Sequence, residues 1–187
     1  MNLFNQTVTT SLRSACLEDA PNIADLHNRW ALTNPIEDIS RGFLLTVSEP
    51  ARMASSISKA GTWAFVAETH GNLSGYVIAT LEIEQSAALI WEIESPLYGN
   101  LHIREIAVDS MQTGKGIARA LYGCLWQIKD IRSLTAFIAV RPFKNGASLE
   151  FHKKLGFQRA ASFSSKEFYG LNDYCSQLWI CNRSDSN

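Results

Sequence analysis

The sequence lacks a transmembrane-length apolar run, a charge excess and paired cysteine spacings, and each absence excludes a class of protein. No stretch approaches the roughly 20 apolar residues needed to span a bilayer. The start has no basic segment followed by an apolar run, so we predict no signal peptide. With 17 basic and 18 acidic residues, the chain shows no sign of a nucleic-acid or anionic-membrane surface. The four cysteines show no Cys-x-x-Cys spacing, which favours reduced thiols and a cytoplasmic location.

What remains is an ordinary globular composition. The chain has 187 residues and 46% hydrophobic residues, enough for one core. We expect a single domain over residues 1–182 and a disordered tail over 183–187.

The most informative segment is Leu101 to Ala120, which predicts a strand, a glycine loop and a helix. The strand formers end at Asp109, and an apolar stripe of helical spacing begins at Ile117. The first N–H groups of a helix lack intrahelical partners, so they can hold an anion. Gly114 and Gly116 would let the backbone approach a pyrophosphate closely. The spacing is neither that of a P-loop nor that of a dinucleotide fingerprint, and on its own it also fits a tight turn.

A second segment helps to decide whether the glycine loop is an anion site or a tight turn. Residues 134–140 form a near-continuous apolar run, as expected for a strand that is buried on both faces. Asn145 is a suitable helix N-cap, and Gly156 is a suitable C-terminal stop for the helix that follows.

Together, the patterns IAV-x(5)-GKGIA-x-ALY and N-x-x-S-x-x-FH-x-K-LGF resemble those of the GCN5-related N-acetyltransferase (GNAT) superfamily. The resemblance implies an α/β (α+β) fold with a single mixed, mostly antiparallel sheet flanked by helices. It implies transfer of the acetyl group of acetyl-CoA to a primary amine of a small molecule or peptide. A catalytically silent acyl-CoA-binding module on the same fold is the alternative. We expect no nucleic-acid or membrane partner, and a homodimer is compatible with the resemblance.

The resemblance also assigns roles in holding acetyl-CoA. A splayed strand would pair with the pantetheine arm, the glycine loop would wrap the pyrophosphate, Asn145 would hydrogen-bond the arm, and Phe151 would pack beside it. The family usually carries Gln or Arg at the position of Thr113, and Gln112 or Lys115 would compensate for its lack of charge. The complete set is Ile106, Ala107, Val108, Thr113, Gly114, Lys115, Gly116, Ile117, Ala118, Asn145 and Phe151.

The chemistry calls for a base and an acid, but for no metal. An amine with a pKa of about 10.4 must lose a proton before it can attack a thioester. His102 and Glu105 are the candidate bases, and the resemblance favours His102. In a regular strand they would lie on opposite faces, unless a bulge intervenes. His152 stands where many members of the family have a tyrosine, and it would protonate the departing thiolate.

The acceptor site is the least defined part of the sequence. Residues 33–41 and 165–173 would border it in this family, and an aromatic residue with two acidic neighbours, Trp91, Glu92 and Glu94, is a candidate for receiving a cationic amine. We predict loops at residues 85–100 and 164–173. His27 lies on the apolar stripe of the first helix and is expected to be a packing residue.

Overall fold

The computed structural model describes residues 10–32, 39–81, 89–92 and 99–183. Four α-helices and eight strands lie within them, together with two short 3₁₀ turns, Leu17–Asp19 and Ser110–Gln112. The helices are α1 (Ala20–Asn28), α2 (Pro50–Ser58), α3 (Ile117–Trp126) and α4 (Gly146–Lys154). The strands are β1 (Thr10–Ser14), β2 (Thr62–Thr69), β3 (Asn72–Thr80), β4 (Leu89–Trp91), β5 (Asn100–Val108), β6 (Ser133–Arg141), β7 (Gln158–Phe168) and β8 (Leu171–Asn182).

The described strands form one sheet in the order β1-β2-β3-β5-β6-β8-β7-β4. Every neighbouring pair is antiparallel except β5 and β6, which run parallel. This confirms the predicted mixed, mostly antiparallel sheet flanked by helices.

The two faces of the sheet are covered by different helices. On β3, Tyr76 and Ile78 are fully buried in a cluster with α1 and α2, whereas Val77 and Ala79 are buried in a cluster with α3 and α4. This alternation is the period of two expected for a strand that is covered on both sides. The sheet therefore fixes α1 and α2 on one face and α3 and α4 on the other.

β5 and β6 separate partway along their length. They pair only between Asn100–Ile103 and Ser133–Ala136, although each strand has nine residues. Beyond these residues the two strands diverge, which leaves an opening in the middle of the sheet. The start of α3 and the start of α4 lie beside this opening.

β5 also carries a bulge at Arg104. Ile78 of β3 pairs with Glu105, but the next residue, Ala79, pairs with Ile103. One extra residue in β5 shifts the alternation of its side chains. Glu105 and His102 pair with Ile78 and Thr80, two positions on the same face of β3, so both candidate bases lie on the α1 and α2 face.

Two predicted loops are partly wrong. Residues 164–173 continue β7 and β8 and form a hairpin that turns at Tyr169 and Gly170, both with positive φ. Its serine-rich strand has no apolar alternation, and the pattern therefore gave no strand signal. Leu89–Trp91, inside the second predicted loop, pairs with β7.

The described residues stop just inside the predicted tail. Arg183 donates from its backbone to the carbonyl of Arg132 at 2.7 Å and from its side chain to the carbonyl of Ile131 at 3.2 Å. Residues 184–187 lie outside the described part of the chain, as do Glu94 and residues 33–38 of the predicted acceptor border.

Candidate functional site

A groove of about 450 Å³, here called the loop groove, follows the opening between β5 and β6. Its walls come from the end of β5, the glycine loop, the start of α3 and the exposed side of α4. It contains every residue predicted to hold the acetyl-CoA except Lys115. These residues are Ile106, Ala107, Val108, Thr113, Gly114, Gly116, Ile117, Ala118, Asn145 and Phe151.

The glycine loop has the geometry of an anion cradle. Gly114 and Gly116 both have φ of +83°, a conformation that favours glycine, and a Cβ at either position would meet no atom within 4 Å. Within the described chain, the backbone N–H groups of Gly114, Gly116, Ile117 and Ala118 have no acceptor. The N–H of Lys115 instead donates to the carbonyl of Gln112 at 3.3 Å.

Positive charge reaches the groove from two arginines that the sequence interpretation missed. Arg119, in the first turn of α3, and Arg41 both line the groove. The Arg41 guanidinium donates to the carbonyl of Ser110 at 3.2 Å and lies over the Trp30 ring. The predicted compensating groups bind each other, because the Lys115 ammonium donates to Gln112 Oε1 at 2.9 Å. Arg41 gave no sequence signal, since it lies about 70 residues from the loop.

Asn145 connects the groove to the segment that follows α1. Its Oδ1 accepts from the Ser148 N–H at 3.1 Å, as predicted for an N-cap, and its Nδ2 donates to the carbonyl of Phe43 at 2.9 Å. The Phe151 ring packs edge-on against Tyr122, with 5.4 Å between ring centroids. Both residues are thus held rigidly at the wall of the groove.

His152 is only 2% exposed, and both of its ring nitrogens have partners. Nδ1 lies 2.7 Å from the carbonyl oxygen of Ser148, which can only accept, so Nδ1 carries the ring proton. Nε2 therefore accepts from the Tyr122 hydroxyl at 2.7 Å. Burial lowers the pKa of His152 to about 4, so the ring is neutral near pH 7.

The Ser148 hydroxyl lies beside His152 at the wall of the loop groove, which His152 also lines. Its oxygen is 3.3 Å from His152 Nδ1, and Ser148 lines the loop groove. Because Nδ1 is the donor in this contact, the hydroxyl keeps its own proton for another acceptor. In the sequence, Ser148 stands out only as one position in the helical pattern of α4.

A second cavity, of about 360 Å³, lies beyond β5 and is here called the aromatic cavity. It is lined by His27, His102, Arg104, Glu105 and Arg52 on one side and by rings from β6 and the β7–β8 hairpin on the other. It meets the loop groove along a shared wall, formed by Phe43, Leu44, Ile103, Arg104, Glu105, Phe137 and Asn145.

His102 ends a directional chain of hydrogen bonds. Ser133 donates to Asn100 Oδ1 at 3.1 Å, and Asn100 Nδ2 donates to Thr135 Oγ1 at 3.0 Å. Thr135 is fully buried, so its hydroxyl proton needs an acceptor within the protein. Among the described residues that acceptor is His102 Nδ1, which lies 3.0 Å from Thr135 Oγ1. Nε2 of His102 therefore carries the ring proton. Burial and the charge of Arg104 lower its pKa to about 4, so the ring is neutral near pH 7.

Glu105 is a nearly buried carboxylate at the junction of the two cavities. His27 Nδ1 lies 3.2 Å from its Oε2, and Arg52 lies 3.6 Å from its Oε1. Oε2 nevertheless has no well-aligned hydrogen bond from the described residues. Burial favours the neutral acid, but His27 and the charges of Arg52 and Arg104 outweigh it and lower the pKa of Glu105 below its ordinary value. The group is thus ionised near pH 7.

His27 is buried and hydrogen-bonded, as expected for a packing residue, and it also lines the aromatic cavity. Its Nε2 donates to the carbonyl of Thr46 at 2.7 Å, and its Nδ1 lies 2.8 Å from the Tyr76 hydroxyl. Burial, together with Glu105, raises the pKa of Tyr76 well above its ordinary value, so the phenol keeps its proton. These contacts hold His27 against the Glu105 carboxylate.

The described residues contain neither a metal-binding cluster nor a membrane-spanning helix. No group of three or more His, Cys, Asp and Glu side chains is arranged to hold a metal ion in the described ranges. None of the described helices is both long and apolar enough to cross a bilayer.

The sequence profile of the acetyltransferase (GNAT) family matches residues 30–157, about two thirds of the chain. A comparison with curated proteins found no match.

Solved structures of the same fold cover nearly the whole chain. The ribosomal-protein-S18-alanine N-acetyltransferase of Escherichia coli is 14% identical, with a TM-score of 0.64, and the match covers 96% of this chain and 97% of that one. NAA60 of Arabidopsis thaliana, in complex with a bisubstrate analogue, is 16% identical, with a TM-score of 0.65 and coverage of 95% and 100%. The yncA protein of Salmonella typhimurium, a putative acetyltransferase with its cofactor acetyl-CoA, is 20% identical, with a TM-score of 0.62 and coverage of 95% and 96%.

Proposed function

The chain belongs to the acetyltransferase (GNAT) family, and we propose that it acetylates a primary amine by direct attack on acetyl-CoA. One observation carries the proposal. The loop groove, with its anion cradle, meets the aromatic cavity at a single ionised carboxylate, Glu105. A donor in the groove and an amine in the cavity would face each other across that group.

The loop groove fits the acyl donor. Four N–H groups that have no acceptor among the described residues, at Gly114, Gly116, Ile117 and Ala118, would bind the pyrophosphate, assisted by the positive charges of Arg41 and Arg119. The diverging half of β5, Ile106 to Val108, and the amide of Asn145 would bind the pantetheine arm, with Phe151 beside it. When bound, acetyl-CoA supplies a thioester carbon that an uncharged amine can attack.

Glu105 is our choice for the base. Its carboxylate is ionised and nearly buried, it lines both cavities, and the described part of the chain gives one of its oxygens no well-aligned hydrogen bond. Such a group can hold an ammonium ion and take its proton as the nitrogen attacks. His102 is the weaker choice because its protonated nitrogen is Nε2, which makes the ring a donor in the aromatic cavity.

Ser148 is our choice for the group that meets the leaving sulfur. His152 has both nitrogens engaged and a pKa of about 4, so its ring is poorly suited to give up a proton directly. Through Nδ1 it orients the Ser148 hydroxyl, which can donate its proton to the leaving sulfur while its oxygen takes the second proton of the attacking nitrogen. In this proposal His152 is a positioning residue.

The second candidate function is an acyl-CoA-binding module without turnover. The observation that favours it is the same His152, engaged on both nitrogens where many members of the family have a tyrosine. Titration calorimetry with acetyl-CoA and a thiol-release assay with a panel of amines separate the two. Binding with thiol release supports the enzyme, binding without release on any amine supports the silent module, and no binding at high micromolar ligand contradicts both.

A further inference from the structure

One wall of the aromatic cavity is a continuous set of rings that begins at His102. The His102 ring packs edge-on against Phe137 at 5.3 Å, and Phe137 packs against Phe163 at 6.4 Å. Phe163 in turn contacts Phe168 at 5.3 Å and Tyr174 at 6.1 Å. Three of these rings, on Phe137, Phe163 and Phe168, are only half-buried although they line the cavity. These rings can make both edge-on and face-on contacts with a ligand, and such contacts suit another aromatic ring.

The opposite wall accommodates one positive charge and disfavours a second. Glu105 is the sole carboxylate among the described lining residues, and two arginines, Arg52 and Arg104, line the same cavity. An ammonium ion beside Glu105 would share the carboxylate with Arg52, whereas a second cation on the same ligand would meet no further carboxylate among the described lining residues. A volume of about 360 Å³ is at the lower end of the range for small-molecule sites, roughly 300–1,000 Å³.

We propose, on the basis of the proposed function, that the acceptor is a monoamine whose primary amine is joined by a short chain to an aromatic ring. Its ring lies against Phe137 and Phe163, and its nitrogen lies beside Glu105. The ammonium ion gives one proton to the Glu105 carboxylate, which then releases it to solvent. The nitrogen then bonds to the acetyl carbon, the carbon–sulfur bond breaks, and the second nitrogen proton leaves with the thiol. Polyamines and basic peptides fit this cavity poorly.

Initial rates of thiol release on four amines test the proposal. The probes are 2-phenylethylamine, n-propylamine, putrescine and an alanine-initiated tetrapeptide. We expect kcat/KM for 2-phenylethylamine to exceed that for the other three by about tenfold or more, from burial of the ring. Equal values for 2-phenylethylamine and n-propylamine, or a higher value for putrescine or the peptide, would overturn the proposal.

A pair of phenylalanine variants locates the effect. Phe163→Leu removes a ring of the cavity wall and keeps an apolar side chain there. The matched control is Phe143→Leu, because Phe143 is half-buried in the same apolar cluster but does not line the cavity. We expect Phe163→Leu to lower kcat/KM for 2-phenylethylamine about fivefold or more. The kcat/KM for n-propylamine should stay within about twofold of the value for the unchanged protein. Equal losses on both amines, or the same loss in the control, would contradict the assigned ring site.

Titration calorimetry with 2-phenylethylamine in the presence of CoA tests the ring site separately from the proposed acetyl transfer. Binding that Phe163→Leu weakens, without turnover of any amine, would support the ring site and overturn the reaction. Turnover of other amines without binding of 2-phenylethylamine would support the reaction and overturn the ring site. Absence of both binding and turnover would overturn both.

Discussion

The hydroxyl of Tyr122 lies 2.7 Å from Nε2 of His152, and both side chains are almost completely buried between α3 and α4. Burial raises the pKa of Tyr122 far above its ordinary value, so the phenol remains the donor. The bond fixes the tautomer of His152, which places the ring proton on Nδ1 and directs it at Ser148. A residue expected to act directly on the thiolate thus lines the loop groove but has both ring nitrogens engaged within the protein.

Removing the Ser148 hydroxyl tests whether it meets the leaving group. We expect Ser148→Ala to lower kcat by about 10–100-fold, since hydrogen bonding to a developing charge is lost. The KM for acetyl-CoA should stay within about twofold, since the backbone N–H that caps α4 remains. Ser148→Thr retains a hydroxyl and should recover most of the activity. Full activity in Ser148→Ala would remove this residue from the mechanism.

Neutralising Glu105 tests the base. Glu105→Gln keeps the side-chain size and removes the negative charge, so we expect kcat to fall by about 10²–10³-fold while CoA affinity, measured by calorimetry, is retained. His102→Gln is the comparison, since it keeps a donor in the cavity, and its loss should stay under about tenfold. The reverse ranking of the two variants would identify His102 as the base. Thermal melting of both variants checks that each is folded.

A bulky side chain in the glycine loop should block the groove. We expect Gly116→Val to raise the Kd for CoA by about tenfold or more, because the added atoms occupy the space of the pyrophosphate. Gly61→Val is a matched control for backbone strain, since Gly61 has φ of +74° and open space around it but lies outside the groove. A control with the same loss of CoA affinity would show that strain, and not the cradle, is responsible.

The buried neutral histidines make stability depend on pH. The pKa values of His102 and His152 are lowered to about 4 in the folded chain, against about 6.5 when unfolded. Between these values the unfolded chain binds protons that the folded chain does not, so the free energy of unfolding falls as pH falls. We expect a loss of about 2 kcal/mol per histidine between pH 7 and pH 5, measured by urea unfolding.

The variant His152→Gln should flatten this pH dependence by about half. The control is His70→Gln, which removes an exposed histidine instead of a buried one. An unchanged slope in His152→Gln would mean that His152 does not titrate on unfolding as described.

Local signals in the sequence predicted the loop groove well. The positive-φ glycines, the helix stripe that begins at Ile117 and the N-cap at Asn145 depend on residues close together in the chain. The family profile confirms the resemblance that these signals suggested. The roles assigned to individual residues stay predictions.

The rest could not be predicted because it depends on contacts between distant residues. Arg41 reaches the groove from a segment about 70 residues before the loop, and Tyr122 meets His152 from another helix. The rings of the aromatic cavity come from β6, β7 and β8, whose serine-rich hairpin has no strand periodicity. Periodicity describes which face of an element is apolar, not which elements come together.

The bulge at Arg104 divides β5 into two segments whose side chains alternate in opposite phase. Before it, even-numbered residues such as His102 point toward α1 and α2, and after it odd-numbered residues such as Glu105 do. If β5 paired regularly with Arg104 retained, His102 and Glu105 would be three positions apart and would lie on opposite faces. Two side chains an odd number of positions apart can thus share one cavity, a spacing that a search for alternating residues would pass over.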